Sequence, residues 1–198
     1  MLFKNENQEF NLPNAQLTYI PSFLNKPEAD SLYEVLFNQT NWQHDDITVF
    51  GKTYPQPRLT ALYSINDQPY SYSNITMHPN PLTHELKNLM LKVNHFTNHK
   101  FNTLLLNLYR NGSDSNGWHA DNEKELGRNP VIASLSLGAE RPFHFKHRTI
   151  KEQRHKLLLD HGSLLLMGGE MQHYWVHQIA KTKRIIKPRI NLTFRTLI

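Results

Sequence analysis

At 198 residues, with 38% hydrophobic and 20% charged side chains, the chain is one domain's worth of ordinary globular sequence, long enough to bury a full apolar core. It has no cysteine, which excludes disulfide staples, thiolate zinc sites, iron–sulfur clusters and cysteine nucleophiles, so a bound metal must use histidine or carboxylate. A formal net charge of +5 suits a polyanionic partner. No stretch reaches the apolar length of a membrane span, and Met1 to Glu6 lacks the apolar core of a secretory signal. An intracellular protein (cytoplasm, or nucleus in a eukaryote) with no membrane partner is expected.

In chain order, no internal repeat, low-complexity tract or linker interrupts the sequence. Pro27 to Gln39 predicts a helix: Asn25 is a candidate cap, Pro27 suits the first turn, and Ala29, Leu32, Val35 and Leu36 form an apolar stripe. A second helix is expected from Pro81 to about Phe96, with Leu82, Leu86, Leu89, Val93 and Phe96 on one side. Beyond Phe101 the texture changes to short apolar or alternating runs at 101–109, 131–138, 143–148, 156–160, 163–167, 174–180 and 189–197. Turns such as Asn111-Gly112 and Gly138-Ala139-Glu140 join several of them. Many short strands without intervening helices predict a mainly β (α+β) fold, a β-sandwich or jelly roll.

Three patterns on these strands carry chemistry. In Gly117-Trp118-His119-Ala120-Asp121-Asn122-Glu123, His119 and Asp121 are two apart, so in an extended segment both side chains leave on one side. A third ligand would come from His173 or His177, and two histidines with one carboxylate leave three positions open on Fe(II). In a chain with 12 histidines, a His-X-Asp tripeptide on its own also suits an exposed loop. In the last run Arg189, Asn191, Thr193 and Arg195 alternate with Ile190, Leu192 and Phe194, placing two guanidinium forks on one face. Such a face matches an organic carboxylate, although a polar stripe also suits a solvated edge strand. Asn107 and Tyr109 share a strand face in the same way. The basic run His144-Phe145-Lys146-His147-Arg148, with Lys151, Arg154 and Lys156, reads either as a solvated face or as a phosphate-tracking surface.

Together, Asn107-Leu108-Tyr109, Trp118-His119-Ala120-Asp121, the Leu164 to Gly169 strand, Val176-His177 and Pro188-Arg189-Ile190-Asn191-Leu192-Thr193-Phe194-Arg195 resemble, in order and spacing, the AlkB family. Its members are iron- and 2-oxoglutarate-dependent dioxygenases that repair alkylated nucleic-acid bases. The resemblance runs from roughly Phe50 to the C-terminus and leans towards the branch acting on duplex DNA.

The resemblance implies a single domain over 1–198. Its double-stranded β-helix core with a support helix would occupy 81–198, and an N-terminal helix-containing extension over 1–80 would form a substrate lid. It implies Fe(II) held by His119, Asp121 and His177, which leaves His173 to be read as a polar surface histidine or one that supports a ligand from behind. It implies 2-oxoglutarate held by Asn107, Tyr109, Arg189, Asn191, Thr193 and Arg195, with Arg195 on the distal carboxylate. The implied reaction is oxidative demethylation of 1-methyladenine- or 3-methylcytosine-type bases, releasing formaldehyde, succinate and CO2.

The partner would be alkylated DNA, double-stranded, met by a monomer. A duplex base must be flipped out to react. Tyr70 and Tyr72 fall at the family's aromatic lid, where Tyr72 would stack the base against His119, and Glu123 would face its exocyclic amino group. Asn122 stands where the duplex-acting branch has an aspartate. Phe50, Gly51 and Lys52 would form a hydrophobic finger filling the gap, and Arg58 matches a further substrate-region arginine. Two alternatives remain: an oxygenase of the same superfamily acting on RNA or a protein side chain, and a non-catalytic jelly-roll binding module.

Overall fold

Two sheets face each other, the smaller antiparallel and the larger antiparallel except for the parallel pairing of an edge strand, and two helices cover the outer side of the larger one. The computed structural model describes residues 6–49, 52–72 and 75–198. The N-terminal part carries β1 (Gln8–Leu12), β2 (Ala15–Ile20), α1 (Lys26–Gln39), β3 (Asp46–Val49), β4 (Lys52–Pro55), β5 (Leu59–Ser64), β6 (Tyr70–Tyr72), β7 (Ile75–Met77) and β8 (Asn80–Pro81). There follow α2 (His84–Thr97), β9 (Thr103–Tyr109), β10 (Asn116–His119), β11 (Ile132–Gly138), β12 (Arg141–His147), β13 (Arg154–Leu159) and β14 (Leu164–Gly168). Last come α3 (Met171–Tyr174), β15 (Trp175–Ile179) and β16 (Arg189–Arg195). The larger sheet has eight strands in the order β1-β2-β14-β11-β16-β9-β5-β8, and the smaller has four, β10-β15-β12-β13. β3 pairs with β4 and β6 with β7 as separate two-stranded ribbons.

The helices form where capping chemistry allows. At α1 the Asn25 side chain accepts the Glu28 N–H at 3.0 Å while the Glu28 carboxylate accepts the Asn25 N–H at 3.0 Å, a reciprocal capping box. α2 starts at His84, three residues after the Pro81 expected from its apolar stripe. Pro81 is in fact taken by β8, which pairs with β5, and the Thr83 hydroxyl caps the helix through the Leu86 N–H.

Strand alternation divides the core. On β9, Leu104, Leu106 and Leu108 pack with Ile190, Leu192 and Phe194 of β16 against helix residues such as Leu36, Leu86 and Val93. The intervening Leu105 and Tyr109 turn to the inter-sheet layer with Phe143, Phe145, Trp175 and Ile179. Each wholly buried leucine there contributes roughly 1.5–3 kcal/mol. β16 is therefore no solvated edge: it lies between β11 and β9, and all seven of its residues are buried. The polar face consequently points into the protein.

Residues 1–80 do not lie wholly outside the core, because β2 and β5 are hydrogen-bonded members of the larger sheet. The strand expected over 174–180 is β15 (Trp175–Ile179), with Tyr174 instead closing the helical turn α3 that precedes it. At the β11–β12 turn Gly138 has φ +83°, and a Cβ there would meet the Pro188 carbonyl oxygen at 2.6 Å, so only glycine fits without displacing the chain. Among the described residues no helix is long and apolar enough to cross a membrane.

Candidate active site

Antiparallel pairing of β10 with β15 sets His119 directly opposite His177, with ring centroids 4.3 Å apart. Asp121 lies two residues past the end of β10, and its Oδ2 is 3.7 Å from His177 Nε2. One ligand atom from each of the three lies within 4.8 Å of the others. The Gly117 carbonyl accepts the proton of His119 Nδ1 at 2.7 Å, so Nε2 carries the lone pair; it accepts from the Asn116 side-chain amide at 3.0 Å and is the atom a metal would take in place of that bond. Burial, with the neighbouring His119 charge, pushes His177 down to about 3, and burial likewise lowers His119. Both imidazoles are therefore neutral donors at physiological pH. Burial would raise Asp121, but the charge of the Arg195 guanidinium, which also donates to Oδ1, outweighs it and holds the carboxyl below its ordinary range. Two neutral imidazoles and one carboxylate form the donor set that suits Fe(II).

β16 and β9 build the rest of the cavity. Its lining includes Arg58, Asn107, Tyr109, His119, Asp121, His177, Arg189, Asn191, Thr193 and Arg195. Arg189 is 1% exposed, sits 5.3 Å from the Tyr109 ring, and donates from Nη2 to Ser136 Oγ at 2.9 Å. Its Nε and Nη1 are buried with no partner among the described residues. Burial lowers its pKa to about 10, with Arg141 adding to the effect, so it remains a cation at neutral pH. A buried cation with unmet donors calls for an anion, and the carboxylate of an oxoacid fits that demand.

Arg195 does not stand at the distal end as expected. It donates from Nη2 to Asp121 Oδ1 at 2.6 Å and from Nη1 to the Tyr70 hydroxyl at 2.7 Å, which fixes it beside the metal ligands and leaves the far end to Arg189. The reason is strand geometry. Arg189 and Arg195 are six residues apart on one strand, about 20 Å at ~3.3 Å per residue, so they cannot share an end of the cavity.

Asn191 braces the sheet, donating to Ser134 Oγ at 2.7 Å and to the Leu135 carbonyl at 3.1 Å while accepting the Thr193 hydroxyl at 3.2 Å. Arg58 is buried inside the same cavity and donates from Nε to Asn107 Oδ1 at 2.7 Å. Tyr70 is wholly buried, so it is not an exposed lid aromatic; its hydroxyl joins Arg195 to the Glu123 carboxylate. Burial and the nearby Asp121 raise the pKa of half-buried Glu123, partly offset by Arg195, whereas Asn122 is exposed. His173 lies on α3, exposed, where its Nε2 accepts the Asn129 N–H at 3.4 Å, not on a strand face shared with His177. Phe50 and Gly51 lie outside the described residues, and Lys52 and Tyr72 are described in backbone only.

Sequence reasoning missed Ser134, Ser136 and Gln172. The two serines carried a signal: at i, i+2 they interrupt the apolar strand Ile132 to Leu137 on a single face. Gln172 carried none.

Residues 16–195 match the family model of the 2OG-Fe(II) oxygenase superfamily. The chain is 46% identical over 187 residues to the Bos taurus protein named alpha-ketoglutarate-dependent dioxygenase alkB homolog 3, covering 89% of this chain and 64% of that protein. It is 45% identical to the Homo sapiens protein of that name, again over 64% of its length. The Mus musculus DNA oxidative demethylase ALKBH2 is 35% identical over 183 residues, 87% of this chain and 77% of that protein. The chain thus spans less than two thirds of the first two relatives. A solved structure described as "The structure of OsALKBH1" superposes with a TM-score of 0.64 at 17% identity, covering 96% of this chain and 100% of that one, a likeness of fold alone.

Proposed function

The chain belongs to the AlkB family within the 2OG-Fe(II) oxygenase superfamily, and from that premise we propose that it oxidatively demethylates N-alkylated bases of DNA. The observation that carries the reading is one cavity with two ends: a three-ligand metal cluster at one and the unmatched Arg189 cation at the other. The relatives' names, alpha-ketoglutarate-dependent dioxygenase and DNA oxidative demethylase, supply the substrate class.

His119, Asp121 and His177 would hold Fe(II). Asp121 is shaped for a single bond to it, because Oδ1 is already taken by Arg195 while Oδ2 faces His177. Arg189 would take the distal carboxylate of 2-oxoglutarate, with the Tyr109 ring beneath its guanidinium and Ser136 fixing its rotamer. Arg58 and Asn107, locked to each other, would shape the wall between the two ends. When bound, iron and 2-oxoglutarate supply the oxidising power: dioxygen and the oxoacid become succinate, CO2 and a hydroxylated N-methyl carbon, which leaves the base as formaldehyde. The protein's task is to bind, orient and exclude water. Glu123, tied to the cavity through Tyr70 and Arg195, would accept from the exocyclic amino group of a flipped base. The 1-methyladenine and 3-methylcytosine lesions, in duplex DNA, are the finer expectation.

The test is formaldehyde release from oligonucleotides carrying either lesion, supplied as duplex DNA, single-stranded DNA or RNA, with Fe(II) and 2-oxoglutarate. Release from DNA that stops when 2-oxoglutarate is omitted supports the reading. Release from RNA alone, or none from any oligonucleotide while the oxoacid is consumed with another substrate, overturns it.

A further inference from the structure

The three ligands of the metal cluster are not held in the same way. His119 and His177 are cross-strand partners, so sheet register places both. Asp121 lies beyond β10, which ends at His119, in a segment that belongs to no strand or helix before Lys124. Its carboxylate is tied by Arg195, but a side-chain ion pair does not fix where the backbone stands. One contact does: the Gln172 side-chain oxygen accepts the Asp121 N–H at 3.0 Å, from 51 residues away in sequence.

We propose that Gln172 is a positioning residue for the metal site, holding the main chain of Asp121 so that Oδ2 faces the two imidazoles. The inference rests on the metal-binding reading of the cluster and names the support that the reading leaves unassigned. Gln172 is 1% exposed and Asp121 2%, so no solvent can replace the bond. Losing it would leave a buried N–H unmet, and the segment would turn to find a partner. The amide also leaves its Nε2 buried without a partner among the described residues. An apolar side chain would avoid that defect, so among the described residues the bond to Asp121 is what an amide gains here. Gln172 further stands five residues before His177 on one continuous turn-and-strand unit, α3 and β15. A single segment thus supplies one ligand and orients another.

The experiment titrates Co(II), without 2-oxoglutarate or oxygen, into the wild-type chain, Gln172→Met and Gln172→Glu, and follows binding by calorimetry and by the visible absorption of the bound ion. Methionine keeps the volume and removes the acceptor; glutamate keeps the acceptor. Outer partners of metal ligands are typically worth roughly 10- to 100-fold in metal affinity, so Gln172→Met should weaken Co(II) by at least about 10-fold and alter the spectrum, while Gln172→Glu stays within about threefold of wild type. Circular dichroism of the metal-free proteins should be superimposable. Equal Co(II) affinity and spectrum in all three overturns the proposal. So does equal weakening in both variants, which would mark Gln172 as packing. If Gln172→Met does not fold, Gln172→Asn, too short to reach, takes its place, and weakening there against retention in Gln172→Glu is the supporting result. A wild-type chain that binds Co(II) no better than His119→Ala would instead defeat the metal-site reading itself.

Discussion

Arg195 Nη2 lies 2.6 Å from Asp121 Oδ1, and each side chain is 3% exposed. This buried ion pair joins the last strand to the proposed metal site as well as to the proposed oxoacid site. Breaking a buried pair by removing one partner leaves an uncompensated charge and costs about 3–5 kcal/mol. Arg195→Met should therefore lower the unfolding free energy of the metal-free protein by about that much in denaturant titrations, and Arg195→Lys should recover little because the planar fork spans Asp121 and Tyr70 together. A loss below about 1 kcal/mol would mean that the pair behaves like an exposed one.

Arg189 should behave oppositely. Its one side-chain hydrogen bond among the described residues is to the Ser136 hydroxyl, and Nε and Nη1 are unmet there, so Arg189→Met should leave metal-free stability unchanged or raised. Its loss should weaken 2-oxoglutarate binding by roughly 10- to 150-fold, since a hydrogen bond to a charged group contributes about 1.5–3 kcal/mol. Co(II) affinity should stay within about threefold, because Arg189 stands away from the ligands. Unchanged 2-oxoglutarate affinity in a calorimetric titration would remove Arg189 from the oxoacid site.

Asp114 offers a pH test away from the site. Burial would raise its carboxyl, but bidentate hydrogen bonds from the Arg110 guanidinium at 2.8 and 2.9 Å, with the Arg110 N–H, hold it below the ordinary value. A group whose folded pKa is depressed contributes stability that is present above its unfolded pKa, near 3.9, and lost as pH falls through the folded one. Arg110 is 44% exposed, so screening trims the gain to about 1.5 kcal/mol, the low end for a charged hydrogen bond. Asp114→Asn should be less stable than wild type by that amount at pH 7, and the gap should close below about pH 4. A gap that persists undiminished in acid would trace the loss to packing.

Phe50 carries the expectation for duplex DNA. Flipping a base leaves an unstacked gap, and an inserted aromatic ring offsets part of that cost. Phe50→Ala should slow demethylation of methylated duplex DNA by at least about 10-fold, roughly 1.4 kcal/mol in the barrier, and leave single-stranded DNA nearly unaffected. Equal losses on both would make Phe50 a pocket or packing residue.

Much of this site was legible because it lies on strands. Alternation alone puts Asn107 with Tyr109, and Arg189, Asn191, Thr193 and Arg195, on single faces, and the register of β9 with β16 joins the two sets. What alternation lacks is position across the sheet. Nothing in the residues of β16 says that it is central, or that Arg195 rather than Arg189 lies beside Asp121, because both follow from which strands flank it. Contacts that join distant segments were illegible for a similar reason. Arg58 to Asn107 and Gln172 to Asp121 are single bonds across 49 and 51 residues, and neither leaves a periodic trace.

The most direct measurement quantifies succinate and formaldehyde in the same reaction on 1-methyladenine DNA, for the wild-type chain and His177→Ala. Equal amounts of the two products are expected from the wild type and neither from the variant. Succinate without formaldehyde, or formaldehyde from His177→Ala at the wild-type rate, would contradict the demethylation reading.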